Sequence, residues 1–219
     1  MKPYPIFLIG LEHRHCIVIG GGREAQYKVK GLLDCLARVT VISPELSWQL
    51  QAWAEAEQIT WLPRSYRPGD LHEAYLVIAE RADPERNAQI WQEAEAEGAL
   101  VNIMDDVDHC SFVAGSVVRQ GKLTMAISTS GATPALSVRL RERFEREFGP
   151  EYALFLAWLA ELRPAIAIRY AQFHERRECW YALVDSDILD LLRDGQLERA
   201  HQRLLEIADL DSVLDEVAA

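Results

Sequence analysis

Two rhythms of apolar and polar positions alternate from Cys16 to Met104. Short runs of apolar and β-branched residues, "CIVI" (16–19), "RVTVIS" (38–43), "ITWLP" (59–63), "AYLVIAE" (74–80) and "LVNIM" (100–104), carry the pattern of strands buried on both faces. Between the first two, Ala25, Val29, Leu32, Leu33 and Leu36 recur at helical spacing and predict one buried stripe. Further helical patterns cover 45–57 and 84–98. Strand and helix in alternation predict an α/β fold around a doubly wound parallel sheet. After Asp106 the rhythm changes. "SFVAGSVVRQGKLTMAIST" predicts two strands joined at Gln120-Gly121, and "TPALSVRLRERFEREF" a helix with Thr133 as N-cap and Pro134 at its first position. From Glu151 onward the pattern is helical, with breaks expected near Pro164, Asp185-Ser186 and Asp194-Gly195. Leu154, Trp158 and Leu162 repeat at one-turn spacing, as core or interface positions do. The chain divides into 1–111, 112–149 and a helical part, 150–219.

Composition narrows the classes. Of 219 residues, 49% are apolar and 26% charged, ordinary for a globular domain, and the net charge of −11 argues against a nucleic-acid partner. No apolar stretch approaches the ~20 residues of a membrane span, and "MKPYPIFLIGLEHRH" lacks the form of a secretory signal, so a cytoplasmic protein with no membrane partner is expected. The four cysteines form no CxxC pair, which predicts reduced thiols, with Cys16 and Cys35 as small buried residues.

Chemistry enters at "CIVIGGGREAQYKVKGLL". Gly20, Gly22 and Ala25 fit GxGxxA between a strand and a helix. In a dinucleotide site the first glycine permits the turn and the second admits a pyrophosphate. The alanine keeps the helix against the sheet, and the helix N-terminus presents N–H groups to the phosphates. A merely tight strand-to-helix turn is the alternative. The second strand ends with Ser43 and Glu45, either of which suits a ribose hydroxyl. Arg38 stands at the opposite end of that strand, which favours NAD over NADP. Past the fifth strand, Asp105, Asp106, Asp108 and His109 form either a ligand-facing carboxylate group, suited to general-base work or a passing cation, or a solvated acidic loop. Their spacing is no specific metal signature, and no structural metal is expected. "AISTSGATP" (126–134) reads equally as an anion-receiving turn or as a strand-to-helix turn capped by Thr133. His13, His15, His72, His174 and His201 belong to no motif and read as surface or structural side chains.

Together these stretches resemble the precorrin-2 dehydrogenase family, which includes the N-terminal region of sirohaem synthase. The resemblance runs from "YPIFLIGLEHRHCIVIGGGREAQYKVKGLL" through "RVTVISPE", "SYRPGDL", "VNIMDD" and "LTMAISTSGATPALSVRLRERFE", and continues faintly through "ELRPAIAIRY" and "ALVDSDILDLL". It implies a Rossmann-like NAD-binding domain at 1–111, a β-hairpin and helix for dimerisation at 112–149, and a helical C-terminal region at 150–219. It implies NAD-dependent oxidation of the tetrapyrrole precorrin-2 to sirohydrochlorin, in some members with insertion of ferrous or cobalt ion passing transiently through the site. Asp105 corresponds to the family's essential aspartate, and Gly20, Gly22, Arg23, Glu24, Ser43, Pro44 and Glu45 to its cofactor region. Ser128, Thr129 and Arg139 are expected to receive the tetrapyrrole's carboxylates. A hairpin plus one helix encloses too little surface alone, so a homodimer is expected. The alternative is a non-enzymatic NAD-responsive binding module. The chain also departs from the pattern. "VIAERADPERN" replaces the usual "IAAT" strand end, which sets Glu80 and Arg81 where small or hydroxyl groups are expected at the cofactor's edge. A usual proline is missing from "SFVAGSVV", and Ser130 stands where a second glycine is common.

Overall fold

A computed structural model describes residues 3–210, and the expected helix pattern at 211–219 lies outside the described residues. The chain forms two compact units, Met1–Ala114 and Gly115–Ala219. In the first, five parallel strands pair in the order β3-β2-β1-β4-β5, where β1 is His15–Ile19, β2 Arg38–Ile42, β3 Thr60–Leu62, β4 Leu76–Ala79 and β5 Leu100–Ile103. Three helices alternate with them: α1 (Arg23–Leu33), α2 (Trp48–Glu55) and α3 (Pro84–Glu97).

The continuous apolar runs have a direct cause. Successive side chains of a strand point to opposite faces, and helices cover both faces here. Cys16 and Val18 face one way into a core with Val29 of α1 and Leu50 of α2. Ile17 and Ile19 face the other way into a core with Ile90 and Ala94 of α3. The order of strands reverses between β1 and β4, and the carboxyl ends of strands beside such a reversal form the usual ligand crevice.

The second unit carries an antiparallel hairpin of β6 (Ser116–Gln120) and β7 (Leu123–Ile127), turning at Gly121-Lys122. Then come α4 (Pro134–Glu147), α5 (Pro150–Arg169), α6 (Phe173–Val184), α7 (Ile188–Arg193) and α8 (Leu197–Ala208). The helices enclose Phe155, Leu159, Ile166, Leu183, Ile188 and Leu204, with Leu154, Trp158 and Leu162 packed against them.

Two expectations need correction. The α1 stripe stops short: the helix ends at Leu33, and Leu36 is 74% exposed with φ +60°. Leu36 takes the left-handed position that closes the helix, while the Ala37 N–H donates to the Leu32 carbonyl. No break occurs at Pro164, because α5 runs through it from Pro150 to Arg169. Leu159 and Ile166, on either side of the proline, are both buried in the same core, and that anchoring outweighs the missing N–H donor. The breaks at Asp185-Ser186 and Asp194-Gly195 are present, between α6 and α7 and between α7 and α8.

Candidate dinucleotide cradle and carboxyl-edge site

Sequence places three glycines where β1 must hand over to α1 within three residues. Gly20 has φ +129°, and its N–H donates to the Ile42 carbonyl at 3.0 Å, which ties the turn to the end of β2. Gly22 is the N-cap of α1 and provides no capping side chain, so the first N–H groups of the helix face outward as donors. Ala25 is fully buried against the sheet.

The middle glycine, Gly21, lies outside the GxGxxA reading yet is the most constrained of the three. A Cβ there would stand 1.9 Å from the Glu45 carbonyl oxygen and 2.6 Å from Ser43 Oγ. Its own carbonyl accepts the Ser47 N–H at 2.7 Å. The turn after β2 therefore packs directly on the glycine loop. In sequence the only sign was the third consecutive glycine.

Ser43 is buried, and its hydroxyl donates to the Glu45 carbonyl at 2.7 Å while its own carbonyl accepts the Trp61 indole N–H at 2.9 Å. This closes the β2 turn and leaves Ser43 Oγ only acceptor capacity towards a ribose. Pro44 and Glu45 are exposed. Ser43 and Pro44 line a small pocket of about 200 Å³ together with Gly20, Glu80, Arg81 and Arg86. Arg23 and Glu24 are exposed on the first turn of α1, and the Arg23 guanidinium donates to the Tyr27 hydroxyl at 3.2 Å. Arg38 does begin β2, at the end of the strand away from this pocket.

One group already holds the cradle's donors. Glu80 Oε1 accepts the N–H of Gly22 at 3.1 Å and of Ala25 at 3.3 Å. The carboxylate oxygen stands where a phosphate oxygen would. The cradle thus fits an anion: paired backbone donors, the positive end of α1, and space left open by Gly20 and Gly22.

At the far side of the same edge, Asp105 follows β5. It is exposed, has φ +59°, and its carboxylate has no hydrogen-bond or ion-pair partner among the described residues. The adjacent acid is different. Asp106 receives the Asn87 amide N–H at 2.7 Å and the His109 ring at 2.9 Å. Burial pushes its acidity one way, but the hydrogen bonds from Asn87 and His109 and the charge of His109 prevail and hold it below the usual carboxylate range. The ring of His109 packs edge-on against Trp91 at 5.6 Å. The acidic loop thus carries an exposed carboxylate at 105 and a hydrogen-bonded, structural one at 106. Asn87, buried in α3, also accepts the Ala82 N–H at 3.0 Å, so one amide joins the loop after β4 to the loop after β5. The apolar periodicity of α3 gave no hint of that role. Among the described residues no three His, Cys, Asp or Glu side chains converge as a metal site.

Ser128, Thr129 and Arg139 belong to the second unit. The hydroxyl of Thr129 donates to the Thr133 carbonyl at 3.0 Å and accepts the Thr133 N–H at 3.3 Å, while Ser128 Oγ accepts the Ser130 N–H at 3.1 Å. Thr133 occupies the N-cap of α4 with Pro134 following, but its side chain makes no cap bond; Thr129 organises the turn instead. Arg139 is exposed and paired with Glu142 at 2.9 Å.

The chain matches a family model described as putative NAD(P)-binding over residues 7–116. Two more models follow in order, the sirohaem biosynthesis protein central region over 120–147 and the sirohaem synthase dimerisation region over 151–207. Similar proteins include siroheme synthase 1 of Aeromonas salmonicida (35% identical over 92% of this chain and 43% of the relative) and siroheme synthase of Nitrosococcus oceani (35% over 93% and 43%). The chain thus spans less than half the length of these relatives. A solved structure titled SirC, precorrin-2 dehydrogenase, shares the fold with TM-score 0.75 at 23% identity, covering 94% of this chain and 100% of that one. No helix among the described residues is long and apolar enough to cross a membrane.

Proposed function

The chain belongs to the family of NAD(P)-binding proteins that includes the sirohaem synthase N-terminal region, and from that premise we propose that it oxidises precorrin-2 to sirohydrochlorin with NAD as acceptor. The observation that carries this reading is the ordered match of the three family regions along a chain whose first unit has both an anion cradle at α1 and an unpartnered Asp105 on the same sheet edge. The oxidation removes a hydride and a proton from the macrocycle. NAD, when bound, supplies the hydride acceptor.

The residues divide the remaining work. Backbone N–H groups from Gly22 to Ala25 would hold the pyrophosphate, with Arg23 and Glu24 flanking it. Ser43, Pro44 and Glu45 would border the adenosine ribose. The exposed carboxylate of Asp105 takes the proton as general base, a role worth roughly 10²–10⁴-fold in rate. Ser128, Thr129 and Arg139 would meet the substrate's carboxylates. Arg139 can do so at small cost, since an exposed pair like Arg139–Glu142 contributes about 0–1 kcal/mol. The protein would act in the cytoplasm as a homodimer.

The test is anaerobic turnover of precorrin-2, following NADH and sirohydrochlorin absorbance together. Asp105→Asn is the informative variant, because asparagine tolerates the left-handed backbone at 105 and isolates the loss of the base. Turnover is expected to fall about 100-fold or more, with NAD affinity unchanged. Wild-type-like turnover in Asp105→Asn would remove this residue from the mechanism. A protein that binds NAD and leaves precorrin-2 untouched would be the non-enzymatic binding module instead.

A further inference from the structure

We infer that the Glu80 carboxylate is a built-in competitor for the pyrophosphate seat, so that a dinucleotide enters only when this side chain leaves the cradle. The inference rests on the dinucleotide reading of the cradle and adds a residue that sets its affinity.

The position of one side chain, seen in three ways, places Glu80 in the seat itself. Its Oε1 takes the N–H groups of both Gly22 and Ala25, the donors that a phosphate at this helix start would use. Its side chain fills the space that the glycines leave bare: a Cβ on Gly20 would lie 2.5 Å from the Glu80 carboxyl carbon, and one on Gly22 would lie 2.8 Å from Oε1. With Glu80 there, the adjoining pocket measures about 200 Å³, less than the roughly 300–1,000 Å³ of ordinary ligand pockets.

A carboxylate and a pyrophosphate cannot share these donors. Both are anions, and each needs the same N–H groups and the same helix end. The backbone of Glu80 is fixed, since its N–H donates to the Ile19 carbonyl at 2.8 Å directly after β4. Only the side chain has to move, and a half-buried glutamate on rotatable bonds can do so. Arg81 and Arg86 line the same pocket, which gives the displaced carboxylate cationic neighbours. The cradle therefore has two settings, closed on its own anion or open to an external one. The apparent dissociation constant rises in inverse proportion to the open fraction.

The experiment compares wild type, Glu80→Ala and Glu80→Gln by calorimetric titration with NAD. As a second readout, the amide resonances of Gly22 and Ala25 are recorded in the ligand-free proteins. If the open form is about a tenth of the population, Glu80→Ala should bind NAD about tenfold more tightly. Glu80→Gln, which keeps an acceptor and loses the charge, should fall between Glu80→Ala and wild type. Both amides should shift in the ligand-free alanine variant. Equal or weaker NAD binding by Glu80→Ala, beside a wild type that binds NAD, would overturn the competition and leave the dinucleotide reading intact. Absence of NAD binding in all three folded proteins would overturn both.

Discussion

Asp105 and Asp106 are neighbours with opposite fates, and that contrast governs what each substitution should do. Asp106 holds Asn87 and His109, whereas Asp105 faces solvent. Asp106→Asn takes the charge from an acceptor of hydrogen bonds from Asn87 and His109, and should cost about 1–3 kcal/mol of stability at neutral pH. Its pH dependence has a definite sign. The folded state binds the Asp106 proton more weakly than the unfolded state, whose carboxyl titrates near 3.8. The stabilisation is therefore fully present above that value and disappears as pH falls through the still lower folded value. Urea unfolding from about pH 7 down to about pH 2 should show the gap between wild type and Asp106→Asn narrowing only below about pH 4. A constant gap across the range would mean that Asp106 acts through packing, not charge. At this scale sequence was legible where a motif has fixed spacing, as for Gly20, Gly22 and Ala25. It was silent where the constraint comes from a distant backbone, as the Glu45 carbonyl does for Gly21, or from one amide in an ordinary helix, as at Asn87. Glu80 was visible as a departure from the family pattern, but its bond to the cradle was not.

Elements were more legible than residues, and the exceptions share a cause. Five strands and the helices that flank them follow from largely apolar runs, because strands covered on both faces are mostly apolar, and the buried Asn102 of β5 is accommodated by donating to the Phe112 carbonyl. Local breaker rules misread α5. Pro164 removes one N–H and crowds the preceding turn, yet Leu159 and Ile166 tie both halves of the helix to one core. Leu36 fails the other way, because periodicity continues past the point where the chain turns. Pro164 is exposed, so alanine there disturbs no buried contact and restores a helical donor. Restoring the bond and relieving the clash should outweigh the entropy that proline removes from the unfolded chain. Pro164→Ala is expected to raise stability by about 1 kcal/mol, measured as a higher melting temperature. A lower melting temperature would mean that the proline bend itself shapes the packing of α5.

At the scale of the molecule, the second unit keeps large apolar side chains exposed on one helix. Phe173, Tyr181 and Val184 are exposed on α6, at 73%, 62% and 52%. They line a groove of about 720 Å³ with Leu156, Trp180 and four cations, Lys122, Arg163, Arg176 and Arg177. Exposed apolar side chains can mark association surfaces, and the groove's α5 and α6 walls lie within 151–207, the stretch that matches the sirohaem synthase dimerisation region, rather than within the 112–149 segment expected from the sequence to dimerise. The surface of a homodimer is self-complementary about its twofold axis, so one charged substitution enters the interface twice. Tyr181→Glu is the sharper probe because its ring is already exposed in the single chain, and the internal core of Phe155, Leu183 and Leu204 does not depend on it. Wild type is expected to scatter light at close to twice the 24.9 kDa of one chain. Tyr181→Glu should shift towards the single-chain mass at micromolar concentration while keeping its helical circular dichroism. A wild type that stays at the single-chain mass at every concentration would refute the dimer. A Tyr181→Glu protein that remains fully dimeric would move the interface away from α6.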